Sequence, residues 1–164
     1  MEQSEEIVNG RRKINSYVIS AVVLYLANQQ NTNPNERQRP SRDTFKQIVQ
    51  RLNDETRMCF LNAIVNELRY PSKHTFDFSC TILSIYAEAG KEIVFEQISQ
   101  IFLERLQTCG PYPWGLMISF RELIQNPKLE FMKKQYIRDH PNSISKLFYG
   151  RLKKFIDFIP VNHR

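Results

Sequence analysis

Residues 53–90 read NDETRMCFLNAIVNELRYPSKHTFDFSCTILSIYAEAG. Within this stretch Leu61, Ile64, Val65 and Leu68 stand at i, i+3, i+4 and i+7, the spacing that puts four apolar side chains on one face of an α-helix. Asn53 and Asp54 suit its start, where a short polar side chain satisfies free amides and negative charge meets the helix dipole. Pro71 stops the helix, because proline cannot continue the hydrogen-bond ladder. Ser72 is placed to cap a second helix, in which Phe78, Ile82, Ile85, Tyr86 and Ala89 repeat the apolar stripe. Gly90 then suits the left-handed position that ends a helix. Two such helices joined by a few residues double back on each other.

The same signals extend in both directions. Downstream, residues 91–107 predict a helix with Val94, Ile98, Ile101, Phe102 and Leu106 inward. Residues 109–113, Cys-Gly-Pro-Tyr-Pro, form a rigid corner, since each proline restrains the residue before it. Trp114 opens a further helix with Leu116, Met117, Phe120, Leu123 and Ile124 apolar, and Asn126-Pro127 closes it. Helices are expected near 128–138, with Leu129, Met132 and Tyr136 inward, and 143–158, with Ile144, Leu147, Phe148, Leu152 and Phe155 on one stripe. Upstream, residues 14–28 are apolar on most faces, which predicts a helix buried between others. Residues 29–42 hold repeated Asn and two prolines without a large apolar residue, an exposed loop. A shorter helix follows over 43–52, carried by Phe45, Ile48, Val49 and Leu52. The fold class is all-α: antiparallel helical hairpins stacked in an array, with grooves between repeats. One helical domain spans 14–158, preceded by a flexible segment over 1–13 and followed by a tail over 159–164.

Composition agrees. The 164 residues fit one domain, 41% hydrophobic and 12% aromatic content fits a packed core, and five glycines are few for a chain rich in tight β-turns. Cys59, Cys80 and Cys109 are odd in number and far apart, so neither a zinc ribbon nor a thioredoxin-type pair is suggested. They are read as reduced thiols of an intracellular protein. Glu2, Glu5 and Glu6 give the wrong charge for a secretory leader, and the apolar run 17–27 is far short of a membrane span.

Net charge is +6. Residues 1–127 carry 14 Lys/Arg against 14 Asp/Glu, whereas 128–164 carry nine basic residues against three acidic ones. The plain reading is a solvated face on the terminal helices. The sharper one is contact with RNA or an acidic partner through Lys146, Arg151, Lys153 and Lys154. Glycine and aromatic interleaving for base stacking is missing, so direct nucleic-acid binding ranks second.

A catalytic reading finds no support. His74, His140 and His163 share no metal-ligand spacing, and neither a nucleophile elbow nor a phosphate-binding glycine loop appears. No catalytic residue, metal, cofactor or small-molecule ligand is expected. His74 and Asp77, three apart, read as a local hydrogen bond. Glu88, Glu92 and Glu96 recur every four residues, but Gly90 breaks that register and they read as solvated surface. Asn62 and Asn66 flank an apolar stripe and need partners if buried. Arg69 and Tyr70 are placed to tie the corner to Glu104 or Arg105, or else to contact a partner, the structural role ranking first. Trp114 reads as an anchor of corner and core, whose truncation would cost about 3–5 kcal/mol.

Three segments go further than periodicity. LRYPSKHTFDFS (68–79), EQISQIFLERL (96–106) and PYPWGLMISFRELIQNP (111–127), with FLNAIVN (60–66), resemble the C-terminal Not-type domain of the large scaffold subunit of the Ccr–Not deadenylase complex. The resemblance runs from about 14 to 148 and is dense and ungapped over 54–127. It implies a HEAT-like helical stack without activity of its own, which docks Not-two and Not-three/five type subunits. It also implies a part in mRNA deadenylation, mRNA decay, translational repression and transcription regulation, in cytoplasm and nucleus. The motif positions carried over, as partner contacts or fold residues, are Arg69, Tyr70, Pro71, His74, Glu104, Arg105, Pro113, Trp114, Gly115 and Asn126. Departures lie at Gln100, Gly110, Tyr112, Arg121 and Met132, and the terminal basic segment does not follow the pattern. The second readings are an RNA-contacting helical protein and a truncated relative that no longer joins the complex.

Overall fold

The computed structural model describes residues 5–8, 11–28, 42–108 and 113–139, with side chains from residue 14 onward. Two short antiparallel strands, β1 (Glu5–Val8) and β2 (Arg11–Ile14), precede the helices. Seven helices follow: α1 (Ser16–Asn28), α2 (Arg42–Arg51), α3 (Asp54–Asn66), α4 (Thr75–Glu88), α5 (Glu92–Thr108), α6 (Trp114–Gln125) and α7 (Gln135–Asp139). The helix expected over 143–158, and nearly all of the 29–42 loop, lie outside the described residues.

The helices stack in two rows. In one, α3 lies between α1 and α5, and α7 continues beyond α5; in the other, α4 lies between α2 and α6. Helices adjacent in sequence cross between the rows, α2 with α3, α3 with α4 and α4 with α5. This is the stacked-hairpin arrangement that short connections and repeated apolar stripes require. Ser79 Oγ meets Ser119 Oγ at 2.7 Å, and one turn earlier Gly115 abuts Thr75. Contacts that advance together by four residues on both helices mean that α4 and α6 run in the same direction.

The stripes read from the sequence form the core. Leu61, Ile64, Val65 and Leu68 are buried, as are Phe78, Ile82, Ile85, Tyr86 and Ala89, and Val94, Ile98, Ile101, Phe102 and Leu106. Asn53 caps α3, its Oδ1 accepting from the Thr56 amide at 2.8 Å, and Gly90 holds φ +64° after α4. The α4 start differs from expectation. His74 is the cap residue, and Ser72 acts before it, accepting from the His74 amide while its own amide donates to Thr75 Oγ1. The helix α3 also ends at Asn66, before Pro71 can act on it.

The single helix expected over 128–138 is broken. Glu130 turns left-handed at φ 49°, and a 3₁₀ turn (Phe131–Lys133) precedes α7. The turn inserts Phe131 between Tyr86, 5.9 Å away ring to ring, and Phe120 at 5.6 Å. Burying this ring outweighs helical continuity, and Met132, expected inward, becomes exposed while Phe131 and Ile137 are buried.

Tyr86 gives a pH test of this packing. Burial pushes its phenol up to about 12, with the Ser99 hydroxyl partly opposing the shift. The phenol is neutral in both states below pH 10, but between pH 10 and about 12 only the unfolded chain ionises. Stability should therefore fall by about 2 kcal/mol across that window. Denaturant titrations at stepped pH should show a shallower alkaline loss for Tyr86→Phe than for the natural chain.

Candidate protein-docking site

Arg69, Tyr70, Pro71, His74, Pro113, Trp114 and Gly115 converge on the corner between α3 and α4, where α6 begins, whereas Glu104 and Arg105 lie late in α5 and Asn126 at the far end of α6. Gly115 is the reason that α6 comes so close. A Cβ built there would lie 2.8 Å from the Leu68 carbonyl oxygen and 2.7 Å from Thr75 Cγ2, so only glycine lets the two backbones touch. Thr75 in turn holds the corner, since its hydroxyl donates to the Tyr70 carbonyl at 3.2 Å and accepts from the Ser72 amide at 2.8 Å. Pro113 enters α6 with extended backbone, φ −64° and ψ 130°, geometry that proline favours.

Large side chains point outward from this locked backbone. Tyr70 is 73% exposed, Phe76 70% and Trp114 54%, with Ile118 one turn further along α6 also exposed. The Trp114 expectation is thereby corrected: it projects from the corner and does not anchor the core. Its truncation should cost roughly 1 kcal/mol or less of stability, as at other surface positions. Phe76 and Ile118 were missed in the sequence, although Phe76 sits about 200° around the helix from Phe78, a signal that it leaves the buried stripe. The Arg69 guanidinium lies 5.7 Å from the Tyr70 ring centroid, within cation–π range.

The remaining motif residues make contacts within the fold. His74 is buried, and its Nε2 meets Asn28 Oδ1 of α1 at 3.1 Å while its ring packs edge-on to Phe78. Asp77 is not its partner in this arrangement; the Asp77 carbonyl accepts from Thr81. Neither Glu104 nor Arg105 ties Arg69. Glu104 accepts from Gln100 at 2.7 Å, and Arg105 donates to Asn62 at 3.3 Å, which gives Asn62 the partner its position required. Asn66 Oδ1 and Arg69 Nε are buried without a hydrogen-bond partner. Asn126 caps α6, its Nδ2 donating to Glu122 and its Oδ1 accepting from the Lys128 amide.

Burial holds the Glu67 carboxyl above the usual carboxylate range, with His74 working in the opposite direction. Cys59 and Cys80 are free thiols, and burial pushes the Cys59 thiol up, away from nucleophilic use. Among the described residues no group of three or more His, Cys, Asp or Glu is placed to hold a metal ion, and no helix is long and apolar enough to cross a membrane. Lys146, Arg151, Lys153 and Lys154 lie outside the described residues. The chemistry available at the corner is that of an exposed aromatic cluster on a rigid support, rich in the residue types that dominate protein interfaces.

A family model described as "CCR4-Not complex component, Not1" matches residues 1–150. The chain belongs to the Not1 family. It is 36% identical over 146 residues to "CCR4-NOT transcription complex subunit let-711" of Caenorhabditis elegans, covering 83% of this chain and 6% of that protein. It is 38% identical over 96 residues to "General negative regulator of transcription subunit 1" of Schizosaccharomyces pombe, covering 56% and 4%. The fold matches the NOT1 superfamily homology domain from Chaetomium thermophilum with a TM-score of 0.72 and 29% identity, over 83% of this chain and 29% of that one. The Not1 chain described here thus spans a small part of the length of these relatives, and the all-helical reading of its sequence agrees with the solved Not1 structure.

Proposed function

We propose that this Not1 domain is a non-catalytic docking module of the CCR4-NOT complex, and that the Tyr70–Phe76–Trp114–Ile118 patch is where it receives other subunits. The observation that carries the reading is the pairing of exposed aromatic side chains with a backbone junction that admits no Cβ at Gly115. Anchors of this kind contribute most when they are already ordered before binding, because little conformational freedom is then lost. Subunits of the Not-two and Not-three/five type are the partners. Through them the domain supports mRNA deadenylation, mRNA decay and translational repression in cytoplasm and nucleus.

A pull-down from cell extract tests this. The folded chain should retain both partner types, and retention should change little between low and high salt, because an apolar contact is only weakly screened. Absence of both partners would overturn the reading and leave a relative that no longer joins the complex. Retention of RNA instead, falling steeply as salt rises, would favour the basic terminal segment as the functional surface.

A further inference from the structure

The exposed apolar surfaces of the chain differ in charge. On α1, Tyr17, Val22 and Tyr25 are exposed, so the reading of 14–28 as a helix buried on all sides is corrected. That face carries no charged residue, and nothing in the structure shows what covers it. The aromatic corner, by contrast, holds two cations. Arg69 is half-buried with its guanidinium 5.7 Å from the Tyr70 ring centroid, and Lys73 is exposed on the loop before α4. Elsewhere Lys46 pairs with Asp43 and Glu88, and Arg57 pairs with Asp54. Arg69 and Lys73 have no ion-pair partner among the described residues. Glu67 does not supply one: burial holds its carboxyl above the usual range, and the cation acting on it is His74. The Arg69 Nε is moreover buried without a hydrogen-bond partner.

We propose that Arg69 selects the docking partner by receiving a carboxylate, so that the segment seated on Tyr70 and Trp114 is an acidic one. This rests on the docking reading of the corner. A partner that covers the Tyr70 ring also strips water from the guanidinium beside it. A charge enclosed in this way is costly unless an opposite charge with hydrogen-bonding oxygens comes with it. The chain offers no such group here, so the partner must bring it. With Nε closed off, the two terminal nitrogens are left to meet the carboxylate, and a planar guanidinium can engage both of its oxygens at once. The Tyr70 ring helps to order the guanidinium before binding, which reduces the freedom lost in the complex. Lys73 adds positive potential at the rim and favours approach of an acidic segment. An enclosed pair is screened much less than an exposed one, which keeps the salt dependence of docking small.

Calorimetric titration of the 164-residue chain with purified Not-two and Not-three/five type subunits tests this. Affinity should fall by about 5-fold in Arg69→Lys, about 30-fold in Arg69→Gln and about 300-fold or more in Arg69→Glu, with melting temperatures close to that of the natural chain. A side chain that only packs on Tyr70 would be replaced about equally well by Gln and Glu, so the gap between those two reads the charge. Lys73→Glu, at an exposed position where folding is not at risk, should weaken binding by about 5–10-fold. Equal affinities of the Gln and Glu variants, or undiminished affinity in Lys73→Glu, would overturn the acidic-segment contact and leave docking itself standing. Failure of the natural chain to bind either subunit would overturn both. An oligouridylate that binds the natural chain but not Arg69→Gln, with subunit affinity the same in the two, would overturn the proposal in favour of a phosphate ligand.

Discussion

Arg57→Ala should lower the unfolding free energy by about 3 kcal/mol, the cost of lost packing and of leaving the acceptors of a buried guanidinium without their donor. Arg57 lies in α3 and is only 2% exposed. Its Nε donates to Gln97 Oε1 of α5 at 2.8 Å, one terminal nitrogen donates to the Leu52 carbonyl at 3.1 Å, and the other pairs with Asp54. Gln97 Nε2 completes the ring by donating to the Asp54 carbonyl at 2.8 Å. The guanidinium therefore joins the start of α3 to the middle of α5. Without it Gln97 Oε1, which is buried, and the half-buried Leu52 carbonyl lose their donor. Arg57→Met preserves most of the volume but leaves the same acceptors bare, so it should recover only part of the loss. Chemical denaturation of the three proteins measures this directly. Equal stability of Arg57→Met and the natural chain would show that the network contributes packing alone.

Gly115→Val should cost about 3 kcal/mol through overpacking, which for a domain of this size is a fall in melting temperature of roughly 6–12 °C. The added Cβ would meet the Leu68 carbonyl oxygen at 2.8 Å, and that atom belongs to backbone already committed to the corner. The α6 start must then move away from α3 and α4. Gly115→Ala introduces the same Cβ without the branches and gains helix propensity of about 1 kcal/mol, so its loss should be smaller. A melting temperature raised by Gly115→Ala would mean that the junction has slack. The two substitutions report on different parts of the fold, because Arg57 secures the α3–α5 row and Gly115 secures the approach of α6.

Most of the helical stack was legible in residue spacing. The stripes at 61/64/65/68 and 78/82/85/86/89 repeat at helical spacing, so periodicity identifies them as inward, although α3 also buries Thr56, Arg57, Phe60 and Ala63, which the stripe does not include. Where no single stripe stands out, inference stops. The helix α1 has no charged residue, so nothing in its composition tells a helix covered on all sides from one that this chain covers on one side. Trp114 illustrates a second limit. A tryptophan beside two prolines fits a buried anchor as well as an exposed one, and the decision rests on Gly115, whose close contact with Leu68 comes from a distant part of the chain. The same holds for His74, whose partner Asn28 is 46 residues away, and for Phe131, which breaks its helix to fill a gap between Tyr86 and Phe120. The motif resemblance did not distinguish positions that the fold exposes, Tyr70 and Trp114, from those that hold it, His74 and Gly115.

The docking reading depends on the exposed aromatic corner, and calorimetric titration with the purified Not-two and Not-three/five type subunits it proposes as partners examines it most directly. The natural chain should bind with measurable affinity. The Tyr70→Ala/Trp114→Ala double variant should bind at least about 30-fold more weakly, a loss of roughly 2 kcal/mol as expected for two interface anchors, with its melting temperature little changed. Undiminished affinity in the folded double variant would contradict the assignment of this corner as the docking surface.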